Sequence, residues 1–206
     1  MPIQRLTRLS DIVFAVAMTL LALFFDPLPE PSSGISQNIT ELLLSQLPDF
    51  EVYIITFVTL AFYWVTHVHQ FKHYKKTDSV HIFLSLFSLL FVVLVTYASD
   101  LSTVYEEELI VQVFYSLAAA GVGLFSSAAW LYGTYNRRLV APDLPNQTIR
   151  NIRRESYTEP LISLLAIGGA WIAPWGWSAT FVVGFPIAFL VQAQLSQREE
   201  NTIKQP

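Results

Sequence analysis

Long apolar runs broken by short polar stretches set the pattern of this chain. Residues 6–25, 52–71, 81–101 and 109–135 are each close to the roughly 20 residues that a helix needs to cross hydrocarbon. Two more runs, near 160–172 and 177–195, bring the number of predicted transmembrane helices to six. The fifth is short. Pro174, Gly176 and the cluster Trp171, Trp175 and Trp177 predict a tight turn with indoles at interface depth, so helices five and six form a hairpin. The fold expected is all-α and membrane-integral. Residues 1–196 form the six-helix unit and 197–206 a cytoplasmic tail.

The connections differ in kind. Residues 27–50 carry Pro, Ser, Gly and Asn and then a short apolar run, 42–47, suited to a small helix on the surface or over a pore mouth. Residues 137–158 are basic and polar, and extend the fourth helix or form an amphipathic segment. The first apolar run contains Asp11 and lacks a small-residue cleavage site, so it reads as a mature first helix and not a signal peptide.

Composition agrees with a membrane solvent. Hydrophobic residues make up 53% and charged residues only 14%, too apolar a mix for an ordinary water-exposed surface. The absence of cysteine excludes disulfides and thiol chemistry.

Charge then orients the helices. Arg5 and Arg8 precede the first helix, and Lys72, Lys75 and Lys76 follow the second. Arg137, Arg138, Arg150, Arg153 and Arg154 lie between the fourth and fifth, and Arg198 and Lys204 follow the sixth. These are all 12 basic residues. With six spans and both termini in the cytoplasm, every one falls on the inner side, as short cytoplasmic loops require. The other side is acidic: Asp26, Glu30, Glu41, Asp49, Glu51, Asp100, Glu106, Glu107 and Glu108. Such a surface either only solvates loops from which Lys is barred, or forms a negative vestibule that concentrates cations.

Ionisable groups at membrane depth are costly and mark candidate sites. Arg8 and Asp11 are three apart and share a helix face; this is a local pair, or Arg5, Ser10 and Asp11 bond a second helix. His67 follows Trp64 by three residues. It is a packed histidine or part of the same polar group. The four histidines have no zinc-ligand spacing, and no nucleophile elbow, zincin helix, phosphate loop or facing pair of intramembrane carboxylates is present. Neither an enzyme, a resident cofactor or metal, nor a nucleic-acid partner is expected. Gly168-Gly169 and Gly121-x-Gly123 read as close helix contacts.

The opening stretch Arg5-Leu-Thr-Arg-Leu-Ser10-Asp11, with its apolar continuation broken by Thr19, resembles the first helix of the transmembrane protein 175 family. These are potassium-permeable channels of lysosomes and their bacterial relatives. The family signature is Arg-x-x-x-Phe-Ser-Asp, and Leu9 stands here for its Phe. Tyr63-Trp64-x-x-His67 resembles a second family motif. The resemblance implies a homotetramer in the cell membrane, with lipid around it and its first helix lining a pore for monovalent cations, potassium above all. It implies an apolar constriction at Val16, Leu20 and Leu23 with Thr19 beside it, and a polar network of Arg5, Ser10, Asp11, Trp64 and His67. Selectivity for potassium would be modest. A secondary transporter or a proton-permeable channel is the alternative.

Overall fold

The computed structural model describes residues 3–23, 39–105, 108–173 and 175–203. Side chains at 39, 42, 45, 48, 189 and beyond 190 are outside that description, as are Phe25, Asp26, Glu30, Glu106, Glu107, Pro174 and Lys204.

The described chain is helical. α1 (Ile3–Leu20) tightens into a 3₁₀ turn at Leu21–Leu23. After it come α2 (Ile39–Ser45), α3 (Leu47–Phe71), α4 (Ser79–Val104), α5 (Leu109–Thr134), α6 (Asn146–Ile172) and α7 (Gly176–Ile203). Ile3–Leu23, Asp49–Phe71, Ser79–Val104 and Leu109–Arg137 are long and apolar enough to cross a membrane. α6 and α7 have the length, and Gly176–Ala188 is a shorter apolar stretch. Six long helices therefore match the number expected.

Two boundaries differ from expectation. The basic segment 137–158 does not prolong the fourth helix. α5 ends where Asn136 and Arg137 take positive φ, 48° and 54°, and residues 146–158 instead form the first half of α6. Propensity favours that solution, since Gln, Arg and Glu are good helix formers and Asn tolerates the left-handed turn. Likewise α7 stays helical to Ile203, through most of the segment expected to be a tail. The small helix before α3 is present as α2, with Leu43 and Leu44 exposed.

The core explains the order of packing. Phe14, Ala17 and Leu21 of α1 meet Leu60 and Tyr63 of α3, Val92 and Val95 of α4, Tyr115 and Ala119 of α5, and Phe181 and Phe185 of α7. A second cluster joins Leu6, Phe71, Tyr74, Trp130, Leu139, Val140, Leu144 and Ile152. It places the start of α1, the α3–α4 turn and the α5–α6 loop at one end of the bundle. The basic residues of these three segments therefore share an end. A bridge between Tyr74 and Val140, with the Lys75 N–H donating to the Leu139 carbonyl at 2.9 Å, ties the two connections together. Asp78 caps α4 there by accepting from the His81 N–H at 3.0 Å and from the Tyr132 hydroxyl at 2.8 Å.

α5 and α6 touch at a proline. Pro160 lies inside α6 and offers no N–H to the Ser156 carbonyl four residues earlier. The Ser127 hydroxyl of α5 donates to that carbonyl instead, at 2.8 Å. Gly123, one turn away on α5, lets the ring in: a Cβ there would meet Pro160 Cδ at 2.5 Å. At the α6–α7 hairpin Gly169 and Gly176 touch through their backbones, whereas a Cβ on Gly168 would meet open space. The close-packing expectation thus fits Gly121, which lies against Phe91, and Gly123 and Gly169, but not Gly168. Of the three indoles at the hairpin, Trp171 and Trp175 are exposed, while Trp177 is buried and donates to Ser116 Oγ at 3.1 Å.

These contacts generate two expectations. Ser127→Ala orphans a buried carbonyl and should cost about 1–3 kcal/mol. In a Pro160→Ala background it should cost almost nothing, because the alanine restores the missing N–H; Gly123→Ala should likewise be far better tolerated there. Thermal unfolding of the purified single and double variants reads this coupling. The second concerns acid. Desolvation would raise the Asp78 pKa, but the His81 N–H, the Tyr132 hydroxyl and the Arg138 charge together lower it below its ordinary 3.8. Its charge contribution is therefore complete above that value and is lost as pH falls through the folded one. The gap in melting temperature between wild type and Asp78→Asn should be constant near neutrality and close in strong acid.

Candidate functional site: the uncovered face of α1 and the polar groups behind it

Beyond its first turns, α1 carries apolar side chains on both of its faces. Leu6, Ser10, Phe14, Ala17 and Leu21 are buried against the protomer. Their spacings of four, four, three and four make one continuous stripe. The opposite face leaves Ile12 60%, Val16 48%, Leu20 41% and Leu23 74% exposed, with Thr19 also exposed between them. The three residues expected at the constriction therefore lie together on the side of α1 that this protomer does not cover. Thr19 Oγ1 donates to the Val16 carbonyl at 2.9 Å, so its hydroxyl is satisfied within the helix.

The expected polar network is only partly assembled. Trp64 Nε1 on α3 donates to Asp11 Oδ1 on α1 at 3.2 Å, joining the two motif helices. Ser10 is fully buried but bonds back to the Leu6 carbonyl at 2.9 Å. His67 is buried in an aromatic slot, with ring centres 5.8 Å from Phe14 and 3.9 Å from Phe71. Its Nε2 has no hydrogen-bond partner among the described residues. Arg5 is exposed and bonds none of the others among the described residues. Asp11 and Trp64 thus meet directly, Ser10 is buried and bonds its own helix, His67 packs among aromatic rings, and Arg5 is exposed. A packed His67 explains this arrangement better than a hydrogen-bonded one.

Sequence reasoning missed a second polar region. Thr56, Thr59, Tyr63, Thr66 and Gln70 form a stripe on α3 with spacings of three, four, three and four, and each is at most 2% exposed. Thr66 donates to Glu159 Oε1 on α6 at 2.5 Å, Gln70 donates to Ser156 Oγ at 2.8 Å, and Tyr63 donates to the Ala119 carbonyl at 2.7 Å. Glu159 is itself buried, at 4% exposure. The signal was the polar heptad spacing within an otherwise apolar helix. Glu159 was hidden because it stands between the polar run 137–158 and the apolar run that starts at Pro160.

No group of three or more His, Cys, Asp or Glu side chains able to hold a metal occurs among the described residues.

Residues 5–95, which include α1, α3 and most of α4, match the family described as endosomal/lysosomal potassium channel TMEM175. A potassium channel of Streptomyces collinus is 28% identical over 155 residues, covering 72% of this chain and 74% of its own. A potassium channel of Chamaesiphon minutus is 27% identical over 177 residues, covering 83% and 85%. The endosomal/lysosomal proton channel TMEM175 of Gallus gallus is 23% identical over 170 residues, 81% of this chain but only 32% of that longer protein. In fold, the chain superposes on the crystal structure of a lysosomal potassium-selective channel TMEM175 homolog from Chamaesiphon minutus with a TM-score of 0.71, at 20% identity and covering 95% and 97% of the two chains. A variant of the potassium channel MtTMEM175 gives 0.56, also at 20% identity, covering 98% of this chain and 94% of its own. In its Arg5, Ser10 and Asp11 signature, its Trp64 and His67 motif and this helical order, the chain is similar to the transmembrane protein 175 channels.

Proposed function

We propose that four copies of this chain assemble in the cell membrane around a pore lined by the uncovered face of α1, through which potassium passes in modest preference to sodium. The observation that carries this reading is the division of α1 into a stripe buried in the protomer and an uncovered stripe of bulky aliphatic side chains, Ile12, Val16, Leu20 and Leu23. Around a symmetry axis, rings of Val16, Leu20 and Leu23 make a neck that stops hydrated ions by dewetting when narrow and passes them when slightly wider. Thr19 adds a hydroxyl next to that neck. The Asp11–Trp64 bond holds α1 to α3 and so sets how the stripe is turned.

Both termini and the shared basic end lie in the cytoplasm in this arrangement, following the positive-inside rule. The acidic loops then face the other compartment and draw monovalent cations to the mouth. Two bacterial relatives carry potassium-channel names, which supports potassium as the permeant ion. The chicken relative is called a proton channel, so proton permeation is the second reading.

Liposomes containing the purified protein should show potassium flux above that of empty liposomes. Leu20→Ala and Leu23→Ala should raise that flux several-fold and reduce the preference over sodium. Unchanged flux and preference in both variants would remove these residues from the neck. Trp64→Phe keeps an aromatic ring and deletes the donor to Asp11. It should lower thermal stability by about 0.5–1.5 kcal/mol and alter flux without abolishing it; stability and flux identical to wild type would deny the bond any role in orienting α1.

A further inference from the structure

The basic end contains a cavity to which the proposed conduction path gives no role. It has a volume of about 390 Å³ and lies between the turn from α3 to α4 and the loop from α5 to α6. Lys72, His73 and Lys75 line it from the turn, and Asp143, Leu144 and Pro145 from the loop. Its walls are fixed without the lysine side chains. The Lys75 and Lys76 N–H groups both donate to the Leu139 carbonyl, at 2.9 and 3.4 Å. Arg137 donates to the Leu144 carbonyl at 2.5 Å and to Asn146 Oδ1 at 2.8 Å. Leu144 is buried in the apolar cluster that holds this end together. His73 stands edge-on to Trp130 of α5, with ring centres 6.4 Å apart.

The charges at this end are used unevenly. Arg137 holds the loop, and Arg138 donates to the Tyr132 hydroxyl at 2.6 Å and lies over its ring. The ammonium groups of Lys72 and Lys75 make no hydrogen bond or ion pair with any described residue. His73 feels that unbalanced charge. Burial lowers its pKa from the ordinary 6.5, and Lys72, His69 and Lys75 lower it further. While His73 is neutral, the two lysines outweigh Asp143 by one charge. A phosphodiester carries one negative charge and several acceptor oxygens, so it matches both the surplus and the unengaged donors. Position narrows the source. Lys72 directly follows Phe71, where the spanning stretch of α3 ends, which puts the cavity at headgroup depth. The positive-inside rule turns this end toward the cytoplasm, where the leaflet is anionic. We infer that this cavity is a phosphate site, one per protomer, which holds the headgroup of an anionic phospholipid. The two ammonium groups and one His73 N–H donate to phosphate oxygens, and Leu144 and Pro145 supply an apolar side for the glycerol carbons.

Calorimetric titration of the purified full chain in detergent tests this, with empty micelles as the blank. The probes are dihexanoyl phosphatidylglycerol, dihexanoyl phosphatidylcholine and sodium phosphate. Phosphatidylglycerol should bind once per chain, and several-fold tighter than phosphatidylcholine, whose ammonium cancels its charge. The double variant Lys72→Gln/Lys75→Gln should weaken that binding by roughly fivefold for each lysine removed. Both lysines are exposed, so the variant should melt as wild type does without lipid. Lys76→Gln removes the same charge from a neighbour that does not line the cavity, and should leave binding unchanged. Sodium phosphate binding as tightly, with the same dependence on Lys72 and Lys75, would keep the phosphate site and give it to a soluble phosphate. The inference is overturned if neither phosphatidylglycerol nor sodium phosphate binds above the blank, if phosphatidylcholine binds equally, or if the double variant binds as wild type does. It is also overturned if Lys76→Gln weakens binding as much for its one charge, since only diffuse attraction would then be at work. Binding is read without any ion flux, so the result stands apart from the conduction reading.

Discussion

A polar atom in hydrocarbon has no solvent to turn to, so its partner must come from the protein. Much of this molecule follows from that constraint. It makes the spanning segments helical. It lets a proline sit inside α6 only because Ser127 of the neighbouring helix donates to the carbonyl that Pro160 cannot serve. It turns Ser10 and Thr19 back onto their own helix. It also gathers Thr56, Thr59, Tyr63, Thr66 and Gln70 of α3 into one buried stripe, where Tyr63, Thr66 and Gln70 find partners on α5 and α6. What is left over is apolar on both sides of α1, one side packed into the core and the other left uncovered.

Charge adds a second level of order. The two connections that carry most of the lysines and arginines are joined by the Tyr74–Val140 bridge, and Leu6 of α1 packs into the same cluster. Asp78 ties that end by capping α4 and accepting from Tyr132, over whose ring Arg138 lies 4.7 Å from the centre. The basic end is thus a packed structural unit as well as a topological signal. α1 is anchored there through Leu6 and, further along, through Asp11 and Trp64.

Much of this was legible in residues. Six apolar runs marked six long helices, and the signature on α1 with the Trp64–His67 motif pointed to the family. Periodicity also placed Val16, Leu20 and Leu23 on one stripe, which the protomer leaves uncovered. Three things were not legible, each for a physical reason. The basic segment before α6 has helix propensity but no apolar period, so its attachment to the later helix depended on the turn at Asn136 and Arg137. A motif fixes which residues occur together, but not their rotamers. Asp11 and Trp64 met as the motif implied, while His67 turned into an aromatic slot and Arg5 outward. Glu159 falls between the polar stretch 137–158 and the fifth apolar run, and nothing in the sequence marks it, because its burial depends on how α6 lies against α3.

The central claim is that the uncovered face of α1 meets permeating ions. The chain contains no cysteine, so single thiols can be placed without background. Block of potassium flux by silver ions, which reach thiols through water and not through lipid, tests the claim directly in Val16→Cys, Leu20→Cys and Leu23→Cys, with Leu90→Cys, an exposed position of α4 off the α1 face, as the control. The account predicts block at the three α1 positions and none at the control. Flux that stays open at all three while silver still reaches thiols elsewhere on the protein would contradict it.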